Sequence, residues 1–145
     1  MPTVILIDVN VLVYAYNEQT PDHRSYRDWL LGVLSSDRAF GVPDLALSGF
    51  LRVVTHPKVF NPPSPLDRAL AFADALRGSP NFVPAPPGPR HWDIFTRLCR
   101  ETAARGNLIP DAYLGAIAIE SGDEWVTTDR DYSRFPVLRW RHPLA

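Results

Sequence analysis

A short apolar run that ends on a single acid constrains the fold of this chain more than any other feature. The run covers residues 4–7, and Asp8 follows it directly, with Asn10 two residues further on. The next apolar residues, 11–14, continue into a predicted helix. A strand that stops at an acid before a helix places that carboxylate at the carboxyl edge of a sheet, where open α/β sheets bind their ligands. Asp8 is therefore the first candidate site residue.

The composition predicts one globular domain over residues 1–145, since 46% of the residues are hydrophobic and 21% are charged. No segment approaches the ~18 uninterrupted apolar residues of a membrane-spanning helix, so no membrane association is expected. Cys99 is the only cysteine, which excludes an intrachain disulfide and favours a cytoplasmic location. The formal net charge of −1 argues against binding nucleic acid through overall charge, although a local basic patch stays compatible with it.

Hydrophobic spacing predicts helices that alternate with short strands. Helices are expected over residues 23–34, 43–54, 66–77, 90–105 and 110–121, and strands over 40–42, 125–126 and 137–140. Gly106 and Gly122 are expected to end the last two helices, and the proline clusters at 57–65 and 80–89 are expected to be loops. This alternation predicts an α/β fold with a central, mostly parallel sheet flanked by helices on both faces.

Two further acidic segments follow elements of the same kind. Asp111 follows Pro110 in the first turn of a predicted helix, and Asp129 and Asp131 follow the strand at 125–126. Each acid alone has an ordinary structural interpretation: Asp8 can cap a helix, Asp111 can interact with a helix dipole, and acids are common in surface turns. Several carboxylates at one sheet edge, however, repel each other unless a divalent cation neutralises them. Such oxygen ligands suit Mg²⁺ or Mn²⁺, and these ions support phosphodiester cleavage.

Four segments resemble the motifs of a known family, in the family's order. Residues 5–14, Ile-Leu-Ile-Asp-Val-Asn-Val-Leu-Val-Tyr, resemble the first motif of PIN-domain proteins. Residues 48–57, Ser-Gly-Phe-Leu-Arg-Val-Val-Thr-His-Pro, are similar to the third helix of VapC-type toxins. Residues 109–114 and 127–135 resemble the two later motifs. The resemblance spans nearly the whole chain and implies a single PIN-like domain.

The resemblance implies a Mg²⁺-dependent endoribonuclease (Mn²⁺ being an alternative ion), the toxin half of a toxin–antitoxin pair. Asp8 and Asp111 then correspond to the principal metal ligands, and Asp129 to a further catalytic acid. Asp131 either assists or holds the loop, while Asn10 and Thr128 fall at polar positions that shape the site. The expected substrate is structured RNA such as tRNA or rRNA loops, whose bases are exposed.

The same resemblance implies two protein partners. One is a cognate VapB-type antitoxin whose C-terminal segment occupies the acidic groove, and the other is a second copy of the toxin, forming a homodimer. Arg52 is a candidate contact for RNA phosphates, although it can equally pack within the fold. His56, four residues further on, is expected to pack rather than to bind RNA.

One departure from the family pattern concerns the third helix. Many family members carry a glutamate where this chain has Ser48-Gly49, and none of the four glutamates lies near that segment. Asp44 is the nearest candidate replacement, and a helix-capping role for Asp44 is equally compatible. The number of metal ions and the catalytic strength therefore stay open at this point.

Two other functions remain as alternatives from the sequence. The missing glutamate is compatible with a catalytically weak PIN-like module that binds RNA or protein. The Asp-x-Asn motif at Asp8 also resembles the nucleophile motif of haloacid-dehalogenase-like phosphatases, in which Asp8 would form an aspartyl-phosphate. That interpretation requires a second acid at the position of Asn10 and a lysine late in the chain, whereas Lys58 is the only lysine.

Overall fold

The computed structural model describes residues 3–145 and contains one four-stranded parallel sheet. Its strands are β1 (Ile5–Ile7), β2 (Phe40–Gly41), β3 (Glu124–Val126) and β4 (Trp140–Arg141), in the spatial order β2-β1-β3-β4. All three residues of β1 are buried, as is typical of a parallel strand covered on both faces. The expected α/β fold is therefore confirmed. The sequence predicts a mostly parallel sheet, and all of its described strand pairs are parallel.

Across residues 3–145, six α-helices and one 3₁₀ helix connect and cover these strands. They are α1 (Val9–Tyr16), α2 (His23–Ser35), α3 (Asp44–Val54), α4 (Leu66–Arg77), α5 (His91–Thr102), α6 (Leu108–Ser121) and the 3₁₀ helix (Arg130–Arg134). Within the described residues, none of the helices combines the length and apolar character needed to cross a membrane.

The strand order creates a switch point between β1 and β3. The chain passes from β1 to its neighbour β2 on one side, and it later places β3 and β4 on the other side of β1. Ile7 is in register with Val126, so both strands end at the same level. The segments after β1 and β3 leave in opposite directions, and such divergence opens a crevice at the carboxyl ends of the strands.

Helix α6 brings a third segment to this edge. Because α6 leads into β3 and all strands are parallel, the helix runs back across the sheet and its first turn lies above the carboxyl ends of the strands. Asp111 is the fourth residue of α6 and lies in that first turn. The helix ends at Gly122, whose φ of +73° is the left-handed conformation that favours glycine, as the sequence predicted.

Three predicted boundaries are wrong by two or three residues, and several others differ by one residue. Helix α5 ends at Thr102 rather than at residue 105, because Ala103, at a φ of +49°, takes the capping role expected of Gly106. Helix α6 begins at Leu108, two residues before Pro110, and tolerates the proline because first-turn amides have no intrahelical acceptor. A turn closed by the Leu138 amide on the Phe135 carbonyl delays β4 to Trp140.

Candidate active site

Asp8 lies directly after β1 and is held through both carboxylate oxygens. Only 6% of the residue is exposed. Its Oδ1 accepts a hydrogen bond from the Val9 amide at 2.7 Å, which caps α1, and its Oδ2 accepts one from the Thr127 hydroxyl at 2.7 Å. The capping role and a role in the site are thus not exclusive, because each oxygen keeps a further lone pair for a ligand.

Thr127 links the ends of the two central strands. This fully buried residue follows β3, donates its hydroxyl proton to Asp8 and accepts a hydrogen bond from the Asp129 amide at 3.0 Å. Its neighbour Thr128, the threonine that the family resemblance favours, is half-buried and makes no side-chain hydrogen bond to these acids among the described residues. Thr127 was missed, although its position as the first polar residue after a buried strand was a usable signal.

Asp129 shapes the loop that follows β3. Its Oδ1 accepts a hydrogen bond from the Asp131 amide at 2.8 Å and thereby caps the 3₁₀ helix. The side chain of Asp131 is exposed. Asp131 therefore orients Asp129 through its main chain, and its charge also contributes to the raised pKa of Asp111.

Asp111 is tied to the same loop by a tyrosine. The hydroxyl of Tyr132, a fully buried residue of the 3₁₀ helix, donates to Asp111 Oδ1 at 3.3 Å. Sequence reasoning missed this contact as well. One usable indication was the aromatic residue Tyr132 within the polar segment 129–134. A tyrosine that packs into the core from such a segment needs a hydrogen-bond partner for its hydroxyl group.

The pKa shifts of Asp8 and Asp111 indicate that these two acids and Asp129 lie within electrostatic range of one another. Burial raises the pKa of Asp8 from 3.8 to about 6, and the charge of Asp129 contributes to the rise. Burial also raises the pKa of Asp111 to about 6, with further contributions from Asp129 and Asp8. The three carboxylates are therefore close enough to repel one another. Between Thr3 and Ala145, the ion pairs of the protein involve Glu124 and Asp44 and none of these three acids.

This donor set fits a hard divalent cation that keeps part of its water shell. Within residues 3–145, no three acidic, histidine or cysteine side chains form a ready-made metal cage. Mg²⁺ seldom uses such a cage, because it is usually held by one or two carboxylates, several waters and substrate phosphates. The charge of one buried acid, Asp8, and two half-buried acids, Asp111 and Asp129, with no cationic side chain of the described residues paired with them, is the observation that favours a cation. Like charges in a partly desolvated site repel one another unless they are neutralised.

Mg²⁺ binding should weaken steeply as the pH falls through about 6. Protons and the cation compete for Asp8 and Asp111, whose pKa values lie near that pH. We expect Mg²⁺ to raise the Tm at about pH 8 and to leave it nearly unchanged at about pH 5, as measured by thermal unfolding with and without the ion. An equal rise of Tm at both pH values would contradict this assignment.

The remaining predicted residues lie around the site rather than within the carboxylate cluster. Asn10 is the second residue of α1 and is half-buried. Asp44 is largely exposed and pairs with Arg77 at 2.8 Å, and it contributes to neither raised pKa. Arg52 is exposed in the last turn of α3.

The segment that lacks the expected glutamate packs tightly against the strand-to-helix turn after Asp8. A Cβ built on Gly49 would stand 3.0 Å from a methyl group of Val9, which is closer than ordinary van der Waals contact. Ser48, beside it, is exposed. Helix α3 therefore approaches α1 closely at this point without adding an acid to the cluster.

Comparison with known proteins gives a consistent family assignment. The family model of the PIN domain matches residues 5–138. Ribonuclease VapC25 of Mycobacterium tuberculosis is 44% identical over 140 residues, which cover 97% of this chain and 99% of the relative. Ribonuclease VapC43 of the same organism is 43% identical over 141 residues, covering 97% and 96%.

Solved structures share the fold at lower sequence identity. VapBC2 from Rickettsia felis, solved with a DNA fragment from its promoter, matches with a TM-score of 0.71 at 18% identity and covers 96% of this chain and 98% of that one. VapC20 of Mycobacterium tuberculosis, described as a toxin that cleaves the Sarcin-Ricin loop, matches with a TM-score of 0.64 at 16% identity, covering 89% and 92%. At these identities the likeness concerns the fold alone.

Proposed function

The chain belongs to the PIN-domain family, and from that premise we propose that it is a Mg²⁺-dependent endoribonuclease, the toxin of a VapBC-type toxin–antitoxin pair. The observation that carries the proposal is the cluster of Asp8, Asp111 and Asp129, in which burial and mutual charge raise the pKa of Asp8 and of Asp111 and no cationic side chain among the described residues is paired with any of the three. The same membership leaves the phosphatase interpretation of Asp8 without support.

In this proposal the three carboxylates hold the ion. Such an ion, when bound, would supply Lewis-acid polarisation of the phosphate and a water of lowered pKa. Thr127 fixes the rotamer of Asp8 by its hydrogen bond to Oδ2, and Tyr132 holds Asp111 against the loop that carries Asp129. Burial keeps this arrangement rigid, so that the charges need little rearrangement as the substrate phosphate approaches.

The substrate we propose is structured RNA, such as tRNA or rRNA loops. Unpaired nucleotides can enter a crevice at a sheet edge, and their bases are accessible to side chains, whereas a continuous duplex hides them. The cytoplasmic location expected from the single cysteine is part of the same proposal.

Two partners complete the proposed function. An antitoxin of the VapB type would place an arginine on the acidic cluster, where a charge-assisted hydrogen bond to a carboxylate is strong. A homodimer would cover exposed apolar side chains such as Leu66 and Leu70, which lie one turn apart on α4 and are 57% and 38% exposed.

The direct test is cleavage of RNA by the purified chain. We expect new RNA ends to appear in the presence of Mg²⁺, and their production to stop when EDTA removes the ion and to resume when Mg²⁺ is restored. Sequencing the ends would identify the target. Cleavage that is unaffected by EDTA would contradict the metal-dependent mechanism, and binding of RNA without any cleavage would favour the catalytically weak module.

The same assay tests Asp44 as a replacement for the missing glutamate. The carboxylate of Asp44 is 89% exposed and already pairs with Arg77. We therefore expect Asp44→Asn to cleave RNA at a rate within about threefold of the parent chain, since exposed ion pairs contribute little. A loss of cleavage as complete as that of a metal-ligand variant would instead place Asp44 in the site.

A further inference from the structure

A cleft beside the carboxylate cluster carries two arginines and no acid. Its volume is about 580 Å³, and we call it the arginine cleft. It is lined by Thr102, Ala103, Arg105, Leu108 and Arg134. The charged side chains that line the cleft are thus both positive, whereas the neighbouring aspartates are negative.

The position of the arginine cleft follows from two elements that the site already uses. One wall is the connection from α5 into α6, and Leu108 lies three residues, or about one helical turn, before Asp111. The other wall is the end of the 3₁₀ helix, where Arg134 lies two residues after Tyr132. The hydrogen bond from Tyr132 to Asp111 joins these two elements, so the cleft lies between the segments that carry two members of the site.

Neither arginine of the cleft is neutralised within the described residues. Arg105 and Arg134 are exposed, and no ion pair or side-chain hydrogen bond of the described part of the chain involves them. Arg77 and Arg141, which line two other grooves, are by contrast paired with Asp44 and with Glu124, the latter at 2.9 Å. Unpaired arginines also line other grooves, Arg68 in one and Arg130 in another, but of these grooves of the described chain only the arginine cleft is lined by two of them together with an element that carries an acid of the cluster. Free guanidinium groups that line a cleft are suited to bind an anion.

We propose that Arg105 and Arg134 bind a backbone phosphate of the RNA next to the phosphate that is cleaved. This inference rests on the proposed ribonuclease function. The aspartate cluster repels the RNA backbone, and the two guanidinium groups of the adjoining cleft supply an attraction that compensates for it.

The chemistry of the lining favours a phosphate over a base. The arginine cleft contains no aromatic side chain on which a base could stack. Forked hydrogen bonds from arginine match the geometry of phosphate oxygens. Contacts of this kind position the strand and carry no sequence information, so the two arginines set affinity and register rather than sequence preference.

The test measures RNA binding as a function of salt. The probe is a short, fluorescein-labelled single-stranded RNA of mixed sequence, bound to an Asp8→Asn background to prevent cleavage, with affinity followed by anisotropy. Each lost phosphate contact should reduce the slope of log K against log salt by about 0.7, so R105Q/R134Q, which removes the contact with one phosphate, should reduce it by about 0.7 and weaken binding about tenfold or more. In the active background, the same pair of substitutions should raise KM and largely spare kcat.

Arg90 provides a matched control. It is an exposed arginine at the opposite end of α5, and R90Q should leave both the affinity and the salt slope unchanged. Because Arg105 and Arg134 are exposed, thermal unfolding should give the same Tm for R105Q/R134Q and its parent.

The outcomes separate this inference from the function on which it rests. If the active chain cleaves RNA but R105Q/R134Q keeps the parent's salt slope, the phosphate contact is overturned and the ribonuclease stands. If R105Q/R134Q loses affinity for a polyglutamate peptide but not for RNA, the arginine cleft is a docking site for an acidic protein segment instead. If the active chain neither binds nor cleaves RNA, both proposals fall.

Discussion

Replacing Asp8 with asparagine should abolish RNA cleavage and, at the same time, stabilise the metal-free protein at neutral pH. The loss of a metal-binding carboxylate is expected to lower kcat about 1,000-fold, which corresponds to about 4 kcal/mol of transition-state stabilisation. The gain in stability arises because the buried Asp8 is ionised at pH 7 at a cost: its pKa of about 6 in the folded chain exceeds its ordinary 3.8.

The sign of the stability change follows from proton binding. Between pH 3.8 and about 6 the folded chain binds more protons at Asp8 than the unfolded chain does, so the stability of the protein falls as the pH rises through this window. Above the window the full cost is present, at most ~3 kcal/mol for a shift of about two pKa units. Asp8→Asn removes it and should raise the free energy of unfolding by about 1–2 kcal/mol at pH 7, with the difference vanishing below about pH 4.

Asp28 supplies the control for both readouts. It is an exposed acid on α2, and Asp28→Asn should change neither cleavage nor stability by a measurable amount. Denaturant unfolding of the metal-free variants and initial rates of RNA cleavage give the two measurements. If Asp8→Asn were less stable than the parent chain at pH 7 and more active than one per cent of it, the assigned role of Asp8 would be wrong.

The second large effect is expected at Thr127. Thr127→Val keeps the shape of the side chain but removes the hydroxyl that donates to Asp8 and accepts from the Asp129 amide. The two groups left without a partner are buried or partly buried, so we expect a loss of about 1–3 kcal/mol in stability. Because Asp8 loses its fixed rotamer, cleavage should slow by about 10- to 100-fold.

Thr127 is a positioning residue, and its pH profile distinguishes that role from a general loss of structure. The hydrogen bond from Thr127 lowers the pKa of Asp8, so its removal should move the acidic limb of the pH–rate profile to higher pH. Thr127→Ser retains the hydroxyl and should restore most of the activity together with the parent's profile. A slow Thr127→Val enzyme with an unshifted profile, or a serine variant that is equally slow, would exclude the positioning role.

The grouping of the acids at one edge of the sheet could be predicted from the sequence because it follows from the topology of a parallel sheet. Consecutive parallel strands place their carboxyl ends together, so the ends of β1 and β3 had to meet. A helix that leads into a parallel strand begins at that same edge, which placed Asp111 there. The carboxylates stand out in the sequence because each directly follows an apolar or turn-rich segment.

The contacts that orient these acids could not be foreseen in the same way. The threonine whose hydroxyl contacts Asp8 depends on the direction of each side chain after β3. Successive residues of an extended segment point to opposite faces, so the sequence alone does not separate Thr127 from Thr128. The bond from Tyr132 to Asp111 joins residues 21 apart and requires the 3₁₀ helix to be in place. The arginine cleft likewise depends on α5 ending at Thr102 with Ala103 as its left-handed cap, a role that the sequence pattern assigns to Gly106.

Anomalous diffraction from crystals soaked with Mn²⁺ would test the central claim most directly. The account predicts a single strong peak at the carboxyl ends of β1 and β3, about 2–2.5 Å from oxygens of Asp8 and Asp111 and within reach of Asp129 directly or through water. Crystals of the Asp8→Asn variant should lose that peak under the same soak. A manganese peak elsewhere on the protein, with none between these carboxylates, would contradict the account.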